Sequence, residues 1–232
     1  MDNSKYKKLP YIHNVDSNSH LLIDIIFNPD NVINYITYVL DDPLNSCICS
    51  TGGGSTYDPV RLHIGIDRYS YGWYKSVHYG YTINTGRYDF VVSGKGYVKV
   101  NGDEISKEKE DTDWTKDWSL YSINIGSDGS LGKTRSQNFI GCVLYNNLDD
   151  YNNGIYSHNL IPCERLKDNV VGVYDLVTDK FYSSIEDKWV APIDLSEVTS
   201  IRIREGKVTK IEDKEGNILW TSANNQTTTL DT

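Results

Sequence analysis

The chain is predicted to fold as an antiparallel all-β domain, and three observations carry that expectation. Helical periodicity is nearly absent. Turn-forming clusters recur at Gly52-Gly53-Gly54, Gly94-Lys95-Gly96, Asn101-Gly102, Asp128-Gly129, Asn153-Gly154 and Glu215-Gly216-Asn217, at spacings that leave room for ordinary strands. Tyrosine dominates the aromatics, with 18 Tyr against 4 Phe and 5 Trp, and a single Met leaves little flexible apolar side chain for helix packing. Such usage suits strands and wet binding surfaces.

The strands follow in order. Residues 21–27 (LLIDIIF) and 32–40 are the first, separated by the turn Asn28-Pro29-Asp30-Asn31. In residues 61–66, Leu62, Ile64 and Ile66 alternate with Arg61, His63 and Gly65, as a half-buried strand requires. Residues 88–92 and 97–100, with Gly94-Lys95-Gly96 and Asn101-Gly102, read as two successive hairpins, and residues 120–125 and 139–145 continue the pattern. Near the end, residues 171–176 (VGVYDL) and Phe181-Tyr182 flank the tight reversal Val177-Thr178-Asp179-Lys180. Val171, Val173 and Asp175 share one face of that strand, and Gly172, Tyr174 and Leu176 the other, so it is expected to be covered on both sides. Asp175 then needs partners, either backbone N–H groups of the bend or a metal or ligand.

The wording Ile161-Pro162-Cys163, the bend Lys167-Asp168-Asn169, then VGVYDL and Lys180-Phe181-Tyr182 resembles the closing segment of concanavalin A-like (laminin-G-like) domains in structural proteins of bacteriophages and prophages. Residues 87–105 (RYDFVVSGKGYVKVNGDEI) resemble the central hairpins of such domains, and Leu9-Pro10-Tyr11-Ile12 their opening phrase, from which His13-Asn14-Val15-Asp16 departs. The resemblance spans residues 9–192, with a middle not recognisable by motif. It implies an antiparallel jelly-roll sandwich and a non-enzymatic virion structural protein, displayed on a capsid, head fibre, tail or baseplate. Other virion proteins, further copies of the chain and bacterial surface glycans are then the expected partners. The place of action would be the virion, after synthesis in the host bacterial cytoplasm.

On this reading residues 1–8 form an N-terminal extension, residues 9–192 the sandwich, residues 199–220 a small β-meander and residues 221–232 a flexible tail. In the meander Ile201 and Ile203 share one face, as do Ile218 and Trp220, while Arg202 and Arg204 point away. About twenty residues cannot bury enough apolar area to stand alone. Ile201, Ile203, Ile218 and Trp220 are therefore the candidate assembly interface.

Composition excludes several function classes. Lys+Arg 23 against Asp+Glu 32, a net charge of −9, argues against a nucleic-acid-coating surface. No apolar run reaches the roughly 18 residues of a membrane span, and no secretion signal is expected behind the charged start MDNSKYKK. Cys47, Cys49, Cys142 and Cys163 lack paired zinc spacing. They are expected to be free, with a Cys142–Cys163 disulfide as the alternative.

Motif chemistry is sparse. The acidic run of residues 103–113 is interrupted by lysines and lacks the alternation of a glucanase catalytic strand, so it is expected to be a solvated loop. A carbohydrate-active enzyme is the alternative that this run fails to support. It also lacks calcium-loop order. The histidines are scattered, no GxSxG occurs, and Gly52-Gly53-Gly54-Ser55-Thr56 has no following Lys, so no catalytic residue, metal ligand, nucleotide or cofactor is expected. The aromatic series Tyr69, Tyr71, Trp73, Tyr79 and Tyr81 is the candidate carbohydrate platform, because sugar C–H faces stack on aromatic rings. The competing reading makes Tyr69, Tyr71 and Trp73 sandwich core.

Overall fold

Strands dominate the computed structural model, which describes residues 1–16, 18–40, 46–51, 63–65, 83–107, 122–126, 133–183, 189–192, 198–204, 207–213 and 218–221. The chain divides into two units, Met1–Ala191 and Pro192–Thr232. The first carries β1 (Tyr6–Lys8), β2 (Ile12–Asn14), β3 (Leu21–Ile26), β4 (Val32–Val39), β5 (Ser46–Thr51), β6 (His63–Gly65), β7 (Gly86–Ser93) and β8 (Val98–Val100). It continues with β9 (Asp103–Ser106), β10 (Ser122–Ile125), β11 (Lys133–Thr134), β12 (Gln137–Tyr145), helix α1 (Leu148–Asn153), β13 (His158–Arg165), β14 (Val170–Asp175), β15 (Lys180–Ser183) and β16 (Trp189–Val190).

Among the described residues the larger sheet runs β15-β14-β13-β12-β4-β7-β8-β9, joined by β1, β2 and β16. The smaller runs β11-β5-β10-β3, with β6 on β5. Pairing is antiparallel throughout except for β11 with β5. The expected antiparallel all-β class is therefore what the chain adopts.

Alternation in β3 is clean: Leu21, Ile23 and Ile25 are buried while Leu22 and Ile26 face solvent. The Asn28–Asn31 turn, closed by Asn31 N–H donating to the Asn28 carbonyl at 3.1 Å, leads from the smaller sheet into β4 of the larger one, so β3 and β4 make no hairpin. The inward residues of both sheets, including Ile23, Ile123 and Ile125 from one and Ile33, Phe90 and Leu144 from the other, form one core. Gln137 straps the sheets together inside it. Its amide oxygen accepts from the Tyr35 hydroxyl at 2.9 Å, and its Nε2 donates to the Ile48 carbonyl at 2.7 Å.

The hairpins β7–β8 and β8–β9 form as expected. Asn101 (φ 51°) and Gly102 (φ 93°) both have positive φ, as the two-residue turn between β8 and β9 requires. One expectation fails here. Asp103–Ser106 is not solvated loop but edge strand β9, because that turn returns the chain alongside β8; residues 108–113 lie outside the described residues.

The segment expected as an N-terminal extension supplies β1, with Tyr6 opposite Arg165 and Lys8 opposite Cys163. β13 thereby changes neighbour midway, from β12 at Leu160 to β1 at Cys163. Pro162 sits at the changeover. Its carbonyl accepts from Leu9 N–H at 3.0 Å, and its missing N–H falls where the ladder is interrupted, the position in a sheet that tolerates proline.

The β14–β15 hairpin forms in the expected place and is covered on both faces, with Gly172, Val173, Tyr174 and Asp175 all buried. Gly172 is required by space rather than by φ, since a Cβ there would run into the Tyr182 carbonyl and the Phe181 ring.

The sequence also misreads Asn153-Gly154, which ends a helix rather than turning a hairpin. Asn147 caps α1 by accepting from Asp150 N–H at 2.8 Å, and Gly154 (φ 70°) closes it in the left-handed conformation. Six residues are too few to register as a period.

All four cysteines are buried and free, so the Cys142–Cys163 alternative falls: Cys142 stands opposite Leu160, and Cys163 opposite Gly172. Burial pushes the Cys49 and Cys142 thiols upward and Cys163 to about 12, which removes thiolate reactivity.

The second unit contains β17 (Val198–Arg204), β18 (Lys207–Asp213) and β19 (Ile218–Thr221), paired in that order as an antiparallel meander. Ile201 and Ile203 lie opposite Ile211 and Val208. A bulge interrupts the other half of the expected alternation, because Trp220 and Ile218 partner Ile211 and Glu212, which are successive residues of β18. Ile211 is buried. The side chains of Ile201, Ile203, Ile218 and Trp220, and all of residues 222–232, lie outside the described part of the structure.

Candidate functional site

The outer face of the larger sheet, away from the core, concentrates polar and aromatic side chains. Strand register places them. Asn34 of β4 lies between Val91 of β7 and Val143 of β12, and Asp89 lies two residues along β7 on the same face, opposite Ile36. The Asn34 amide donates to Asp89 Oδ1 at 2.5 Å. The backbone of Asp89 is itself pinned, its N–H donating to Asn101 Oδ1 and its carbonyl accepting from Asn101 N–H, each at 2.9 Å. A half-buried amide and carboxylate thus keep hydrogen-bonding capacity at a fixed place on a rigid sheet.

Helix α1 builds an aromatic wall next to them. Tyr145 of β12 and Tyr151 of α1 meet edge to face at 5.3 Å, and Tyr97 approaches Tyr151 at 6.4 Å. Tyr97, Val32 and Val91 are buried beneath, with Leu148, Tyr145 and Tyr151 packed against them. Burial raises the Tyr145 hydroxyl, and Tyr151, Cys142, Asp89 and Tyr156 add to the rise. Burial likewise raises Tyr151, against the opposing pull of Lys99. Both stay protonated at neutral pH as donors. Tyr156, just past α1, is 49% exposed. A fixed carboxylate–amide pair beside ring edges and hydroxyl groups can hold a polyhydroxylated ligand.

A second polar cluster has a different role. Asp175, fully buried, accepts from Asn159 N–H and Val177 N–H, both at 3.0 Å, from Thr178 Oγ1 at 2.7 Å, and from His158 Nδ1 at 2.6 Å. Burial alone would raise its pKa; the hydrogen bonds, from His158 foremost, outweigh it and hold the carboxyl below its ordinary value. Of the two roles open to Asp175, the backbone one is what the structure contains. The carboxylate closes the start of β13 onto the β14–β15 turn.

Tyr69, Tyr71, Trp73, Tyr79 and Tyr81, the aromatic platform expected from the sequence, lie outside the described residues. The sequence reading missed Asn34, Asp89, Tyr145, Tyr151 and Tyr156. Asn34 and Asp89 sit at alternate, solvent-facing positions of strands that were recognised, and that alternation was the available signal. The gathering of Tyr145 with Tyr151 depends on the unrecognised helix. Among the described residues no group of three or more His, Cys, Asp or Glu is placed to hold a metal, and no helix is long and apolar enough to cross a membrane.

Comparison with protein-family models, with curated proteins and with solved structures returns no match.

Proposed function

We propose that the chain is a non-enzymatic virion protein of a bacteriophage whose first unit is a concanavalin A-like jelly roll that binds bacterial surface carbohydrate. The reading is supported by the phrases of residues 87–105 and 160–182 and by the two sheets, antiparallel but for β11 with β5, that share a core. The observation that carries the binding role is the Asn34–Asp89 pair held beside Tyr145 and Tyr151 on the open face of the larger sheet. Adhesion needs only weak single sites when many copies are displayed, because tethering makes later contacts intramolecular. In this reading the C-terminal meander joins the chain to other virion proteins or to further copies of itself.

The test is a capsular-polysaccharide array probed with the full chain and with Asn34→Ala and Tyr156→Ala variants, alongside an assay for released reducing ends. Retention by the parent, a loss of about tenfold or more in each variant with melting curves intact, and no reducing ends is the expected result. Released ends would make the chain an enzyme. Absence of retention on every glycan would leave a purely structural assembly module.

A further inference from the structure

A concavity lies where β1 meets the end of β13. It has a volume of about 390 Å³ and is lined by Ser4, Lys5, Tyr6, Arg165, Leu166 and Lys167. That volume falls within the range of roughly 300–1,000 Å³ typical of small-ligand sites. Backbone pairing makes its floor rigid: Tyr6 stands opposite Arg165, and Leu166 N–H donates to the Lys5 carbonyl at 2.8 Å.

Charge here runs against the chain as a whole. The molecule carries −9, yet Lys5, Lys7, Lys8, Arg165 and Lys167 gather on this edge and outnumber Asp2, Glu164 and Asp168. Asp2 is engaged by Ser4 N–H, by the Ser4 hydroxyl at 2.6 Å and by Lys5 at 3.2 Å; these contacts lower its pKa to about 2. Asp168 takes Arg165 Nε at 2.8 Å and Nη2 at 2.9 Å. Neither acid is part of the cleft lining; the Lys5–Asp2 pair is exposed and contributes little, so Lys5 can turn to a ligand oxyanion, while the two-pronged contact of Asp168 holds Arg165 in place. One aromatic side chain, Tyr6, lines the cleft, and its ring is held in place by its neighbours. Tyr6 packs on Tyr174 at 4.7 Å and on Phe181 at 5.4 Å, and the Arg165 guanidinium lies over the Phe181 ring at 4.9 Å.

We infer that this cleft binds the oxyanion of an acidic glycan unit, with Lys5 and Lys167 on the carboxylate or phosphate and Tyr6 and Leu166 against the sugar ring. The site is separate from the Asn34–Asp89 face and does not depend on it.

Titration calorimetry on the full chain at low salt would use three probes: an oligogalacturonate, glycerol phosphate, and a neutral maltooligosaccharide. Binding of the first or second, weakened about tenfold or more by the double variant Lys5→Ala/Lys167→Ala and by 0.5 M salt, is the expected result. Lys167→Arg should retain it, and Asn34→Ala should leave it unchanged. The uronate and phosphate arms tell which oxyanion is preferred. Binding of neither anion, equal binding of the neutral probe, or undiminished anion binding by a double variant that melts like the parent would overturn the inference.

Discussion

The two ends of the larger sheet are both hairpins, yet they are held by opposite means. At one end β14 is buried on both faces along Gly172–Asp175, and its turn into β15 is tied down by the Asp175 carboxylate with its four donors. At the other, β8 and β9 turn through Asn101 and Gly102, and Asp103 and Glu104 of β9 are exposed. The first end is specified by what surrounds it, the second by the backbone of two residues. A change at the first should therefore disturb packing and polar satisfaction together, and a change at the second only local conformation.

The contrast is sharpest at Asp175. Asp175→Ala strands the donors of Asn159, Val177, Thr178 and His158 and is expected to cost about 3–5 kcal/mol, read as a large drop in denaturation midpoint. The same carboxyl gives a pH signature. Its folded pKa lies below the ordinary 3.8, so its stabilisation is complete above the ordinary carboxylate range and is lost as pH falls through the folded value. The gap between parent and Asp175→Asn melting temperatures should accordingly narrow below about pH 4, the unperturbed Asp range; a constant gap would refute the linkage.

Next comes Gly172→Ala, which forces a methyl group into the β15 backbone and should cost about 2–3 kcal/mol by the same measurement. Gly102→Ala meets no atom within 4 Å, so only its φ of 93° is penalised, at about 1 kcal/mol. Glu104→Ala on β9 should stay within about 0.5 kcal/mol. A reversal of the two glycine effects would erase the distinction between the ends.

This contrast also marks what could be read in advance. The β14–β15 hairpin and the Asn101-Gly102 turn were legible because turn residues and strand-forming types lie side by side in the sequence, whereas the acidic β9 that returns from that turn was not, since Asp103-Glu104 reads as loop. The crossing at Asn28–Asn31 was not, since a turn does not record whether its flanking strands pair or part to different sheets. Pairings between distant segments, such as Tyr6 with Arg165, leave no local trace. The candidate face suffered doubly: Asn34 and Asp89 are far apart in the chain, and the short α1 that carries Tyr151 has two caps but no period. Asp175 was legible as a need for partners, though not as to which.

The seat of β1 has a bearing on how the molecule is made. Tyr6 leaves the ribosome well ahead of its partner Arg165, which emerges only after most of the first unit has been synthesised. At about 5–20 residues per second the wait is on the order of ten seconds. Throughout that interval the edge of β13 beyond Pro162 does not yet exist, and β1 must stay uncommitted with its lysines Lys7 and Lys8, and Lys5 just before it, in water. Such a charged strand resists premature pairing with neighbouring nascent chains, so Lys5, which lines the cleft in the finished protein, together with Lys7 and Lys8 also serves to keep β1 in water until its place is built.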